Sequence, residues 1–160
     1  MQNCKSYTII NGDYVIFKGE ISPLSNFYEK KFTDDDVQES RFFNDANTVY
    51  KILRSPKAIS VKRLARQIRN YDDQTWINVR DKIMYEGLKL KFRDEELNNY
   101  LKKCYLNENK PKYFIENSGH HYWGCNIINV VSPINPRQMN GQNKLGNMLN
   151  ALAKQMFGPR

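Results

Sequence analysis

Two histidines and a cysteine stand close together in His120-His121-Tyr122-Trp123-Gly124-Cys125, and these side-chain types are common zinc ligands. Neighbouring residues of an extended segment point to opposite sides, so both imidazoles are not expected to reach one ion. The sequence has no second ligand pair at zinc-site spacing, and no P-loop or GxGxxG fingerprint. We therefore expect no metal site and no bound cofactor.

A second set of candidate residues combines aromatic, cationic and glycine residues that are far apart in the chain. Aromatic rings stack on flat bases, and arginine binds phosphate through two hydrogen bonds. Glycines beside a helix start let backbone amides approach an anion. Together these residues predict a pocket for a nucleotide-like ligand, formed by Asn26, Phe27, Trp76, Arg80, Tyr122, Trp123, Gly124, Gly141, Asn143 and Gly146.

Taken singly, these candidates have ordinary structural alternatives. Trp76 and Phe27 are also typical core residues, and Asn26 is a typical turn residue. Gly141 also fits a plain loop, and Gly146 fits a close helix contact. The pocket is therefore predicted from the combination of residues rather than from any single one.

A third candidate is a cationic face. Lys62, Arg66 and Arg69 follow each other at helical spacing, which places them on one side of a helix. The whole chain of 160 residues has 25 Lys and Arg against 17 Asp and Glu, a net charge of +8. Such a face is either solvated or follows the phosphates of a polyanion, and the sequence leaves both interpretations open.

The elements that must position these residues indicate an α+β protein, mainly helical with a few short strands. The length suits a single domain over residues 1–160, and 40% apolar residues suffice for a core. Three widely spaced cysteines favour a reducing compartment, and no run of eighteen apolar residues occurs. We therefore expect a cytoplasmic protein without a membrane partner. The prominence of Asn, Lys, Ile and Tyr is typical of AT-rich coding sequence such as phage genes.

Periodicity and turn residues predict the individual elements. A hairpin is expected around Asn11-Gly12, and the longest helix is expected to begin at Asp72-Asp73. The residues that repeat along that helix with helical period are Trp76, Val79, Ile83, Met84, Gly87/Leu88 and Lys91/Phe92. Further strands are predicted over Val37–Phe43, Tyr113–Glu116 and Asn126–Val131, and further helices from Asn44, from Ser55-Pro56, over Asp94–Cys104 and over Asn143–Phe157.

Four motifs in order resemble the YbiA-like, or NADAR, family. They are Pro23-Leu-Ser-Asn-Phe-Tyr28, Trp76-x-x-x-Arg80-x-x-x-Met84 running to Lys91-Phe92, Tyr122-Trp123-Gly124, and Gly141-x-Asn143-x-Leu145-Gly146-x-x-Leu149. The resemblance covers the chain from about Phe17 to Met156. It implies the YbiA-like α+β fold and a pocket for ADP-ribose-like or ribosylamino compounds. Known members are N-glycosidases that cleave a ribose–nitrogen bond in ribosylated intermediates of riboflavin synthesis or in ADP-ribosylated guanine.

The sequence departs from the family pattern at two acidic positions. The family has a Glu at the start of its first helix and an Asp shortly before the Trp-Gly pair; here they align with Asn44 and His120. Asn44 cannot ionise, whereas His120 can donate a proton. Asp45 or Glu39 are the candidates to replace the missing carboxylate, although Asp45 is equally a common first-turn helix residue.

Two main hypotheses follow from this resemblance and these departures. The chain is either an N-glycosidase acting on an ADP-ribosyl or ribosylamino bond, or a catalytically degenerate protein of the same fold that binds ADP-ribose or a related nucleotide. The second type of protein, if phage-encoded, would interfere with a host NAD or ADP-ribose pathway. ADP-ribosylated nucleic acid is a candidate partner, the oligomeric state stays open, and plain nucleic-acid binding through the cationic face is a third, weaker hypothesis.

Overall fold

The computed structural model of the chain describes residues 6–28, 58–68 and 71–159, and its contacts divide the chain into two units. One unit unites Met1–Tyr28 with Lys91–Arg160, and the other is Glu29–Leu90. Helices and a small sheet confirm the predicted α+β class. The strand predicted over Val37–Phe43, the helix predicted from Asn44 and the helix start at Ser55-Pro56 lie outside the described residues.

The predicted hairpin is confirmed at the beginning of the chain. Strands β1 (Tyr7–Asn11) and β2 (Tyr14–Lys18) pair antiparallel, with Asn11 opposite Tyr14. The two-residue loop is therefore Gly12-Asp13. Gly12 has a φ of +57°, which glycine adopts without the steric penalty of a Cβ. Local turn chemistry thus sets the register of the first two strands.

Strand β3 (Tyr113–Glu116) joins the sheet parallel to β2, which gives the order β1-β2-β3. The predicted bounds of this strand are confirmed. Val15, Ile16 and Phe17 in the central strand are completely buried, as expected for a strand covered on both faces. Ile16 and Ile115 form a buried cluster with Cys125, so the segment after β3 packs back onto the sheet.

The described helices are α1 (Ala58–Ala65), α2 (Asp73–Lys91), α3 (Glu95–Tyr105) and α4 (Lys144–Phe157), with short 3₁₀ turns at Asn107–Asn109 and Pro136–Gln138. Aspartates begin two of them, because the Thr75 amide donates to Asp72 at 3.1 Å and the Leu97 amide donates to Asp94 at 3.0 Å. Both helices were predicted. None of the helices in the described ranges combines the length and apolar character that crossing a bilayer requires.

Helix α4 covers the outer edge of β3 through two asparagine side chains. The Phe114 amide donates to Asn150 Oδ1 at 2.9 Å, and the Phe114 carbonyl accepts from Asn143 Nδ2 at 2.9 Å. The Glu116 amide donates to Asn143 Oδ1 at 3.1 Å. Asn143 and Asn150 are seven residues apart, which places them on one helix face. The helix therefore satisfies backbone groups that another strand would otherwise satisfy.

The strand predicted over Asn126–Val131 is wrong. Only Asn126 makes a bridge, to Asn140, and Ile128 and Val131 are 98% and 78% exposed. The side chain of Asn129 accepts hydrogen bonds from the amides of Val131 and Ser132 at 3.2 and 3.3 Å. This local turn takes the amides that a sheet ladder would need.

The apolar residues that repeat along the longest helix are not all buried. Ile83 is 41% exposed, whereas Leu88 on the same helix is buried. Trp76, Val79 and Met84 are half-buried. The helical period was predicted correctly, but the apolar face is narrower than the apolar residues of the sequence indicate.

We predict that Asn150→Ala lowers the free energy of unfolding by about 1–3 kcal/mol, because the buried Phe114 amide loses its acceptor. Asn147→Ala is the matched control: it is the same substitution on the exposed side of α4, where the side chain donates to the Gln142 carbonyl. We expect the control to change stability by less than about 0.5 kcal/mol. Urea unfolding of both variants tests this, and equal destabilisation would contradict the role assigned to Asn150.

Candidate functional site

The loop at 120–124 is bonded directly to the start of α4. The amides of Asn143, Lys144 and Leu145 donate to the carbonyls of Gly124, Tyr122 and Trp123, at 3.1, 3.1 and 2.9 Å. The first amides of a helix have no partner within the helix, and here the loop supplies the acceptors. These three amides are consequently not available to an anion, which corrects the predicted use of helix amides at this position. The predicted ligand contacts of the side chains are not tested by this arrangement.

Asn143 links this loop to the sheet. Its backbone has a φ of +49°, a left-handed conformation that asparagine tolerates better than most residues. Its amide bonds to Gly124 while its side chain bonds to both Phe114 and Glu116. Asn143 was predicted as a ligand-binding residue, and the structure shows it as the residue that joins the loop, the helix and β3.

The three candidate glycines all lie where backbones approach closely. A Cβ on Gly124 would stand 2.7 Å from both the Glu116 carbonyl oxygen and the Ser118 hydroxyl. A Cβ on Gly146 would collide with the Phe114 carbonyl, and one on Gly141 would collide with the Gly124 carbonyl. Gly141 also has a φ of +136°, a conformation that side chains disfavour. Packing therefore explains glycine at all three positions, and a direct contact with a ligand stays a prediction.

Tyr122 and Trp123 form an aromatic pair with a cation beside it. Their ring centroids are 4.8 Å apart at an interplanar angle of 86°, an edge-to-face arrangement, and both residues are half-buried. Lys144 Nζ lies 5.6 Å from the centroid of the Tyr122 ring. An aromatic face for a base and an ammonium for a phosphate thus occur in one place, as a nucleotide-like ligand requires.

His120 is exposed at the start of this loop. Its Nδ1 accepts from the Trp123 amide at 3.4 Å, and its own amide donates to the Ser118 hydroxyl at 3.1 Å. An accepting Nδ1 places the proton of the neutral imidazole on Nε2. His120 can therefore donate a hydrogen bond to a ligand from Nε2.

Asn26 and Phe27 lie in the loop that follows β2, in the same unit. Asn26 is exposed and Phe27 is half-buried, and the Phe27 amide donates to the Ser25 hydroxyl at 3.1 Å. The Ser25 carbonyl accepts from the Tyr28 amide at 3.2 Å and from Lys91 Nζ at 2.7 Å. The loop is held from inside by Lys91, a residue of the second family motif to which the sequence analysis assigned no role.

Lys91 is 6% exposed, and burial lowers the pKa of its ammonium from 10.5 to about 7. The sequence indicates the burial of Lys91, because this lysine stands between the apolar residues Leu88 and Phe92. Both of these residues are buried. A lysine inside an apolar helix face must find a polar partner within the protein, here the Ser25 carbonyl.

Trp76 and Arg80 belong to the other unit, on α2. Trp76 lines a cavity of about 470 Å³ together with Lys62 and Arg66, two members of the predicted cationic face. The structure thus brings together residues that the sequence analysis had placed in separate groups. Glu39, Asn44 and Asp45, the candidates for the family carboxylate, and Arg69 of the cationic face lie outside the described residues.

No group of three or more metal-ligating side chains is found among the described residues. Cys125 is buried, and burial together with the Glu116 carboxylate raises the pKa of its thiol. A thiolate, the form that binds zinc, is therefore disfavoured at the position that made the sequence resemble a zinc site.

The family model described as the NADAR domain matches residues 16–157, which is nearly the whole chain. None of the curated proteins compared with the chain is a significant match.

We predict that Lys91 makes stability depend on pH. Between pH 7 and 10.5 the unfolded chain holds more protons at this lysine than the folded chain does, so the free energy of unfolding rises with pH, by up to about 1.4 kcal/mol per pH unit. Below pH 7 both states are protonated, and the unfavourable contribution is constant.

Subtracting the free energy of unfolding of Lys91→Met from that of the parent chain at each pH isolates this contribution. We expect the difference to rise from pH 7 to pH 10. The same subtraction for Lys82→Met, an exposed lysine of α2, should stay flat. A flat result for Lys91→Met as well would show that its ammonium is not destabilised by burial.

Proposed function

Because the chain belongs to the NADAR domain family, which is generally linked to N-glycosidase-like activity, we propose that it hydrolyses the bond between ribose C1′ and a nitrogen in an ADP-ribosyl or ribosylamino compound. Water gives its hydroxyl to C1′ and loses a proton, the departing nitrogen gains a proton from His120, and the proton lost by water restores His120. The transition state resembles an oxocarbenium ion, so a carboxylate near the sugar and a proton donor near the nitrogen favour it. We expect the reaction to take place in the cytoplasm.

The observation that carries this proposal is the match over residues 16–157 together with the surface formed by Tyr122, Trp123 and Lys144. The half-buried rings offer a face to an adenine or to the departing base, and the ammonium beside them offers a partner to the pyrophosphate. The loop is held in place by its bonds to α4, so this surface is formed before a ligand arrives.

In this proposal His120 and one carboxylate have separate roles. His120 donates a proton from Nε2 to the departing base. Nε2 is the donating ring nitrogen because Nδ1 accepts a hydrogen bond from the Trp123 amide. Asp45 or Glu39 balances the positive charge of the sugar, since the family Glu aligns with Asn44. The role assigned to these carboxylates rests on the sequence alignment.

A second candidate function is binding without cleavage. It is favoured by Asn44 and His120 at the two positions where the family has carboxylates. An amide side chain cannot carry the charge of a carboxylate. In this case the chain holds ADP-ribose or a related nucleotide, and a phage-encoded protein of this kind would interfere with a host NAD or ADP-ribose pathway.

We predict that the protein releases ADP-ribose or ribose phosphate from at least one of three substrates: an ADP-ribosylated oligonucleotide, ADP-ribosyl guanosine and a ribosylamino-pyrimidine phosphate. Mass spectrometry of the products measures this. Asn44→Glu should raise the rate by about 10²-fold, a typical contribution of a placed acid or base. Asp13→Asn in the exposed hairpin loop is the control that should leave the rate unchanged.

One set of variants tests the assigned catalytic roles and also distinguishes hydrolysis from binding without cleavage. Loss of activity in His120→Ala and in either Asp45→Asn or Glu39→Gln supports the assignment, and an active parent unaffected by all three changes contradicts it. If no substrate is cleaved but calorimetry shows that ADP-ribose binds and that Trp123→Ala weakens binding about tenfold or more, the binding function holds. Absence of both cleavage and binding overturns the proposal as a whole.

A further inference from the structure

A cavity in the unit Glu29–Leu90 joins two cations to two aromatic side chains. Its volume is about 470 Å³, within the range of small-molecule pockets, and it is lined by Lys62, Ala65, Arg66, Ile68, Tyr71 and Trp76. Lys62 lies on α1, and Arg66, the residue after the end of α1, also lines the cavity. Trp76, from the first part of α2, is half-buried.

We propose that this cavity, the α1–Trp76 cavity, binds one nucleotide of a single-stranded nucleic acid, with the base against Trp76 and the adjoining phosphate on Lys62 and Arg66. Bases of a single strand expose their flat faces, and proteins that bind them without strong sequence preference combine aromatic platforms with cations that follow the backbone. A base inside a duplex is stacked between its neighbours and cannot enter such a cavity. The proposal does not depend on the N-glycosidase activity.

The charges around the cavity orient the nucleotide. The Tyr71 hydroxyl donates to Asp73 at 3.3 Å, and burial and this carboxylate raise the pKa of Tyr71. Asp72 and Asp73 therefore make the beginning of α2 unfavourable for a phosphate. The phosphate belongs on the α1 side, beside Lys62 and Arg66, and the base belongs on the Trp76 side.

A polymer is favoured over a free mononucleotide because the cations continue beyond the cavity. Arg63 is also exposed on α1 but does not line the cavity, and the eight residues of that helix include no acid. A free nucleotide would use only the cations of the cavity. A strand carries its next phosphate past the cavity, where Arg63 and the net charge of +8 attract it.

Fluorescence anisotropy with a labelled, unmodified ten-nucleotide oligothymidylate tests the proposal. The double variant Lys62→Gln/Arg66→Gln should raise Kd at least tenfold and lower the slope of log K against log salt by about 0.7, the contribution of the one phosphate that these two cations hold. Lys102→Gln/Lys103→Gln is the control, because it removes the same charge from exposed positions on α3. Equal losses of affinity in both variants would show that only the net charge matters, and would overturn the cavity as the binding site.

Variants with a single tryptophan distinguish binding at this cavity from binding at the site at 120–124. In Trp123→Phe the remaining tryptophan is Trp76, and we expect the oligonucleotide to quench its fluorescence. In Trp76→Phe the remaining Trp123 should not respond to the oligonucleotide. Quenching of Trp123 alone, or tighter binding of the matched duplex than of the single strand, would contradict the proposal.

A competition experiment distinguishes a strand from a free nucleotide. Thymidine monophosphate at the same total nucleotide concentration should displace little of the bound oligonucleotide. Full displacement would show a mononucleotide site and overturn the choice of a polymer. Because the probe contains no ADP-ribose, a negative result leaves the proposed glycosidase function untouched, and an inactive enzyme that binds the strand leaves this inference intact.

Discussion

The outer edge of β3 is the constraint on which the rest of the larger unit depends. This edge presents buried backbone groups at Phe114 and Glu116 that cost free energy if left without partners. Asn143 and Asn150 of α4 satisfy them. Asn143 also begins the helix and bonds to Gly124, so one residue fixes the distance between sheet, helix and loop. Gly146 lets the helix come this close, because any side chain there would meet the Phe114 carbonyl.

This edge also decides how the candidate ligand surface is formed. The carbonyls of the loop at 120–124 accept hydrogen bonds from the first amides of α4. These bonds position the loop that carries the two aromatic rings. The first amides of α4 therefore bind the loop rather than a phosphate. The positive charge for an anionic ligand comes from side chains such as Lys144. Other lysines of this cationic protein are structural: Lys112 donates to the Gly12 carbonyl at 2.8 Å, and Lys91 to the Ser25 carbonyl at 2.7 Å.

The sequence predicted the elements whose signals are local. The Asn11-Gly12 turn signal and the helices predicted over Asp94–Cys104 and Asn143–Phe157 each depend on residues within a few positions, and the structure confirms the hairpin and both helices. The strand predicted over Asn126–Val131 failed because its apolar residues do not reveal that the Asn129 side chain takes the nearby amides. The two roles of Asn143, and the meeting of Lys62 with Trp76, depend on contacts between residues far apart in sequence. The family resemblance gave the order of the motifs along the chain. Local sequence patterns do not give the distances between these motifs in the folded protein.

The central claim is that this chain cleaves a ribose–nitrogen bond by adding water at C1′. The most direct measurement is hydrolysis of ADP-ribosyl guanosine in water enriched in oxygen-18, with the products weighed by mass spectrometry. The account predicts ADP-ribose that carries one heavy oxygen on its terminal ribose, released together with the unlabelled nucleobase side of the substrate. Heavy oxygen in a phosphate product, which marks cleavage of the pyrophosphate, would contradict it, and so would the failure of saturating protein to cleave this substrate and the other two.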